Sequence, residues 1–138
     1  LAGHFASMPY IDLEAKAGLN SILTAADALG SGASIVGVAT RNFAQDEPLF
    51  KGVKAAISQA IELINQRDAK AVEIIAATEK ISGEDALLYL AWPGNLYALD
   101  VYSISALGQF MAQAGYLKNA YPGFENVTWP GALEGAFE

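Results

Sequence analysis

His4, Phe5, Ser7, Met8 and Tyr10 crowd into the opening of the chain, and together they carry the chemistry needed to hold a small molecule without transforming it. An imidazole donates or accepts a hydrogen bond and a serine hydroxyl donates one. Phe5, Met8 and Tyr10 supply apolar or stacking walls. Each of these residues also has a plain structural role open to it. A lone His in an apolar run can be a satisfied structural residue, Ser7 ahead of Met8-Pro9 can serve as a turn or cap hydroxyl, and Phe5 and Met8 can be core.

Catalytic chemistry has less to draw on. His4 is the sole histidine and cysteine is absent, so neither a typical zinc site nor a thiolate nucleophile can be assembled. A Ser-His-Asp arrangement is formally open through His4, yet no Gly-x-Ser-x-Gly elbow is present. The Gly30-Ser31-Gly32 turn lacks the lysine and the length of a phosphate loop. Glu62, Glu73, Glu79, Glu84 and Asp85 have the spacing of solvated helix faces. The expectation is therefore a non-enzymatic chain with no catalytic residue, no metal and no cofactor.

The elements that must position the opening group follow from periodicity. Residues 2–6 and 34–40 are short β-prone runs, the second carrying Ile35, Val36 and Val38, and residues 21–24 are a weaker candidate. Between them, residues 10–17 have helical spacing with Gly18 as the stop. From Pro48 the period changes to 3.6: Phe50, Val53, Ile57, Ala60, Ile61 and Ile64 share one face, and Asp46 and Glu47 sit at the positive end of the dipole. Asp68 is placed to cap a helix reaching Lys80, and Ser82-Gly83-Glu84-Asp85 reads as a capping box for another that ends at Trp92-Pro93-Gly94. A further helix spans 103–114, with Ile104, Leu107, Phe110 or Met111, and Ala114 on one side. Gly115 is its left-handed stop. The remainder alternates Tyr116, Tyr121, Phe124 and Trp129 with Pro122, Gly123, Pro130 and Gly131, a pattern that packs across a domain surface.

With 138 residues, 53% of them hydrophobic, the chain has material for one sizeable core. It reads as a single region, 1–138, made of a cleft-proximal stretch (1–40), a helical stretch (41–115) and an aromatic tail (116–138). Eight basic against fifteen acidic residues give a formal charge of −7, which argues against nucleic acid or an anionic membrane as partner. No apolar run approaches the roughly 20 residues needed to cross a bilayer, and the opening residues are not of signal-peptide type. Strand character beginning at Leu1 leads us to expect further sequence upstream.

Several segments, in order, resemble one family. His4-Phe5-Ala6-Ser7-Met8-Pro9-Tyr10, Asp27-Ala28-Leu29-Gly30, Asn42-Phe43, Asp46-Glu47-Pro48, Phe110-Met111, Gly115, Leu117-Lys118-Asn119 and Trp129-Pro130 are together similar to the C-terminal part of the periplasmic substrate-binding proteins of ABC importers for nitrate, sulfonates, taurine and related solutes. The similarity runs from His4 to about Ala132. It implies an α/β fold, namely the helix-rich part of a type 2 periplasmic-binding-protein fold with two or three short strands and four to six helices. It also implies a solute-binding component that works by two-lobe closure without catalysis. His4, Phe5, Ser7, Met8 and Tyr10 would then be the ligand-binding residues and ABC permease subunits the partners. The location would be periplasmic or extracellular, free or as a tethered lipoprotein.

The pattern departs from the family at Met8-Pro9, where a doubled proline is common, and the lobe supplying the other cleft wall is not contained in these residues. The family's thiamin-pyrimidine synthase branch carries a cysteine-rich signature that is missing here. The alternative reading is a ligand-sensing or structural interaction module. For the isolated chain, unpaired strand edges lead us to expect self-association.

Overall fold

The computed structural model describes residues 3–7, 9–30, 32, 35–101 and 103–129. Eight helices lie within them: α1 (Tyr10–Lys16), α2 (Ala25–Leu29), α3 (Arg41–Gln45), α4 (Glu47–Asn65), α5 (Ala69–Glu79), α6 (Gly83–Leu90), α7 (Ile104–Gln113) and α8 (Phe124–Val127).

The expected α/β class is overturned, because no strand occurs among the described residues. Residues 3–6, 21–24 and 35–40 lie outside any regular element; Ala2 and Ser34 fall outside the described residues. The reason is the nonlocal nature of a strand. A helix satisfies its backbone within itself, whereas a strand needs a second strand beside it to take its N–H and C=O groups. The apolar side chains meant for a sheet face are instead out in solvent: Ile22, Ile35 and Val38 are each 91% exposed. The count of helices also exceeds the four to six expected, through the short α2, α3 and α8.

Local chemistry explains where the helices begin. The Asp46 carboxylate accepts from the Leu49 N–H at 3.2 Å as α4 opens, and the Asp68 carboxylate accepts from the Lys70 and Ala71 N–H groups at 2.9 and 3.3 Å. The Ser82 hydroxyl accepts from the Asp85 N–H at 3.0 Å. Each occupies a helix donor that has no partner within the helix. Replacing Asp68 with Ala is expected to cost about 1 kcal/mol of stability, read as a lower urea midpoint at unchanged slope. An unchanged midpoint would remove the cap from the account. Helix ends are equally local: Gly18 (φ +89°) follows α1 and Gly115 (φ +78°) follows α7, both in the left-handed region that glycine enters without a Cβ penalty.

The chain divides into two compact units, one of Leu1–Gly30 with Leu63–Leu96 and the other of Ser31–Glu62 with Tyr97–Glu138. In the first, α5 packs on α6, and Ala86 and Leu90 of α6 are buried. The Lys16 ammonium reaches Asp12 one turn back at 2.6 Å and Asp85 of α6 at 3.7 Å, which ties α1 to α6 at the surface. The hydrogen bond to Asp12, and then the charges of Asp12 and Asp85, hold the Lys16 ammonium above its usual range.

In the second unit Ala44 of α3 and Phe124 of α8 are buried, and the rings of Phe43 and Phe50 meet edge to face at 6.4 Å. Tyr121 lies against Gly108 of α7, and its hydroxyl is buried without a hydrogen-bond partner. An unpaired buried hydroxyl carries its full desolvation cost, so Tyr121→Phe is expected to stabilise the chain by about 1 kcal/mol. A lower melting temperature for that variant would mean the hydroxyl has a partner.

Helix α2 carries a reciprocal cap. The Thr24 hydroxyl and N–H both donate to the Asp27 carboxylate, at 2.5 and 3.0 Å, while the Asp27 N–H donates back to the Thr24 oxygen at 3.1 Å. The hydroxyl donor first, then the N–H, pulls the Asp27 carboxyl below its usual value of 3.8. The Ser82 hydroxyl, with the Lys16 charge behind it, does the same to Asp85. A carboxyl depressed in the folded chain stabilises it above the unfolded value and loses that contribution as pH falls through the folded one. Amide protection at the starts of α2 and α6 is therefore expected to drop below about pH 4. Protection that persists in Asp27→Asn and Asp85→Asn at neutral pH would show that the carboxylates are dispensable there.

Candidate functional site

The opening segment, residues 3–7, is joined to α1 through the Ser7 carbonyl, which accepts from the N–H groups of Tyr10 at 2.9 Å and Ile11 at 3.3 Å. Since Pro9 has no N–H to offer, the chain turns there and Tyr10 enters the first turn of α1. This bend leaves the Ser7 and Tyr10 side chains exposed. Phe5, at 105%, is as open to solvent as a side chain can be. Phe5 is therefore not a core residue, and Met8 lies outside the described residues.

Among the described residues of the group, His4 is the one with a side-chain hydrogen-bond partner. Its Nε2 lies 2.7 Å from Oε1 of Glu14 on α1. An ionised carboxylate can only accept, so Nε2 donates, and in a neutral imidazole Nδ1 is then left as an acceptor. Glu14 was not singled out in the sequence. The available signal was its spacing of four from Tyr10, which puts both residues on the same side of α1. The contact with His4 spans a turn whose direction only the fold supplies.

The arrangement thus offers an oriented imidazole, a serine hydroxyl with no hydrogen bond among the described residues, and two exposed aromatic rings. Such a set can bind through hydrogen bonds and stacking. No hydrogen bond joins the side chains of His4, Ser7 and Tyr10 to one another among the described residues, so the fold presents them as a string along one segment rather than as a closed pocket.

Among the described residues no group of three or more His, Cys, Asp or Glu side chains is placed to hold a metal ion, and no helix is long and apolar enough to cross a membrane. Comparison of the chain with family models, with curated proteins and with solved structures gives no match in any of the three.

Proposed function

We propose that this chain contributes one wall of the solute site in a substrate-binding component of an ABC importer, capturing a small solute and passing it to permease subunits without chemical change. The observation that carries the reading is the exposed opening segment, in which His4 is held by Glu14 at 2.7 Å while Phe5, Ser7 and Tyr10 face solvent. A small oxyanion or sulfonate would take hydrogen bonds from the Ser7 hydroxyl and from backbone N–H groups, and the rings of Phe5 and Tyr10 would screen its apolar part. Net charge is no obstacle to this. A formal charge of −7 governs long-range attraction, while an anion at close range is held by a few directed donors.

One wall alone leaves a solute half hydrated, so affinity depends on a facing surface that closes over it. In this reading that surface comes from sequence other than these residues, and the protein works outside the cytoplasmic membrane. The test is a thermal-shift and calorimetric series on the longest natural form of the protein with nitrate, taurine, alkyl sulfonates and small heterocycles. A solute that raises the melting temperature should lose at least about tenfold in affinity in Ser7→Ala. No shift with any member of the series, or a shift that survives both Ser7→Ala and His4→Ala, ends the proposal.

The exposure of Ile22, Ile35 and Val38 favours a second reading, an interaction module whose apolar runs pair with another polypeptide. Concentration-dependent association that persists with no solute effect would select it.

A further inference from the structure

Ile35-Val36-Gly37-Val38-Ala39-Thr40 has the residue types of a strand and no neighbour to pair with. Among the described residues the backbone of 35–39 makes no hydrogen bond, and none of the six has a positive φ that would bend it off an extended path. Thr40, the last of them, is extended at φ −70° and ψ 155°. The side chains are uncovered as well: all six residues are exposed, and a Cβ built on Gly37 meets nothing within 4 Å. N–H and C=O groups left to water beside open space are a template for another strand.

Charge and side-chain size indicate which strand. No Asp, Glu, Lys, Arg or His lies between Asp27 and Arg41, so two copies can meet along this stretch without the repulsion that a formal charge of −7 imposes elsewhere. Direction follows from Arg41. In a parallel pair in register the two Arg41 residues would lie about 5 Å apart, whereas an antiparallel pair sets them at opposite ends, more than about 20 Å apart and beyond the screening length of about 8 Å. Register follows from size. Antiparallel pairing centred on Gly37 sets Val36 against Val38 of the second copy on one face, and large Ile35 against small Ala39 on the other, with the two glycines between. A slip of one residue would mix the two faces. A foreign strand would need an uncharged run of matching sizes; a second copy always carries one.

We propose that residues 35–40 pair with the same residues of a second copy of this chain, as an antiparallel two-stranded ladder centred on Gly37. The inference rests on the interaction-module reading and names its partner. The pair is two-fold symmetric, so each contact occurs twice. Six residues a side, against the about 20–30 of a standard interface, make it weak and reversible. A covalent trap is therefore the suitable measurement.

The chain has no cysteine, so a single introduced thiol reports its own neighbours. Residues directly opposite in an antiparallel pair have Cα atoms about 4.5–5.5 Å apart, within disulfide reach. In the 138-residue chain under mild oxidation, Gly37→Cys should give linked dimers at least about tenfold faster than Ile35→Cys or Ala39→Cys alone. A mixture of the last two should link one to the other at the faster rate. Adding Val38→Lys to Gly37→Cys should slow linkage about tenfold or more, because it sets a charge into an apolar pair, and position 38 is exposed in the free chain. Should that variant lose its helices by circular dichroism, Val36→Lys makes the same test from the opposite position.

Equal self-linkage at positions 35, 37 and 39 overturns the ladder, as does Gly37→Cys linkage that the added lysine leaves unchanged. Sedimentation of the cysteine-free chain separates this from the reading beneath it. Association that grows with concentration while the linkage pattern is absent overturns the ladder and leaves an interaction module standing; a monomer at every concentration ends both.

Discussion

Gly108→Ala is expected to destabilise the second unit by about 1–3 kcal/mol, the opposite of what a helix-interior glycine would ordinarily predict. Gly108 lies within α7, and in an unobstructed helix Ala is preferred over Gly by about 1 kcal/mol. Here a Cβ would meet the Tyr121 ring at 2.5, 2.6 and 2.9 Å. These are atoms of a rigid ring rather than the free end of a flexible chain, so Tyr121 must shift bodily and with it the segment leading to buried Phe124. Steric cost outweighs helix preference. Gly52 of α4 is the control, because a Cβ there meets nothing within 4 Å. Gly52→Ala should gain up to about 1 kcal/mol by helix preference alone. Urea melts in a Trp92→Phe background, followed by Trp129 fluorescence, compare the two, and if both substitutions stabilise, the contact of Tyr121 with α7 is looser than these distances imply.

Leu90→Ala should cost the first unit about 2–5 kcal/mol. Leu90 is 7% exposed and shares α6 with fully buried Ala86. Most large apolar side chains of this unit, Leu87 and Leu88 among them, remain exposed. A unit with so little buried surface has few contacts to spare, and a few kcal/mol is a large part of the stability of any domain. Loss of the Leu90 side chain is therefore expected to release α6 from α5, seen as faster amide exchange along both helices. Leu88→Ala, at an exposed position of the same helix, should stay within about 0.5 kcal/mol of the parent. Equal effects at the two positions would show that burial along α6 is not what holds the pair together.

The two predictions share a physical basis with the corrected fold. Side chains such as Val36 and Val38 have strand chemistry and a period of two, yet they find no neighbour to complete a ladder. Residues 21–24, read as a weak strand, instead lead into α2, and the signal for that was present in Thr24-x-x-Asp27, a capping box. Thr40 gives the same service to α3, with its hydroxyl accepting from the Phe43 N–H at 3.3 Å. Ser103, where the helix expected over 103–114 begins, has a φ of +58° and makes no side-chain capping bond to α7.

The candidate site divides along similar lines. The residue types of the opening group are legible in the sequence, since type alone gives His4 and Ser7 hydrogen-bonding groups and Phe5 and Tyr10 aromatic rings. Its exposure was not legible, nor was the partner of His4, since Glu14 reaches the imidazole only after Pro9 turns the chain into α1.

Residue order alone determined the long helices, their caps at Asp68 and Ser82, their stops at Gly18 and Gly115, and the absence of cysteine chemistry. Each of those depends on groups three or four positions apart, a range over which the backbone's own geometry sets the distances. Tertiary structure decided that the β-prone runs stay unpaired, that Tyr121 closes on Gly108, that Glu14 holds His4, and that Trp129 joins Phe50, Lys51 and Lys54 at one groove. Those contacts join residues that are distant in the chain, and their distances are set by packing that no local pattern encodes.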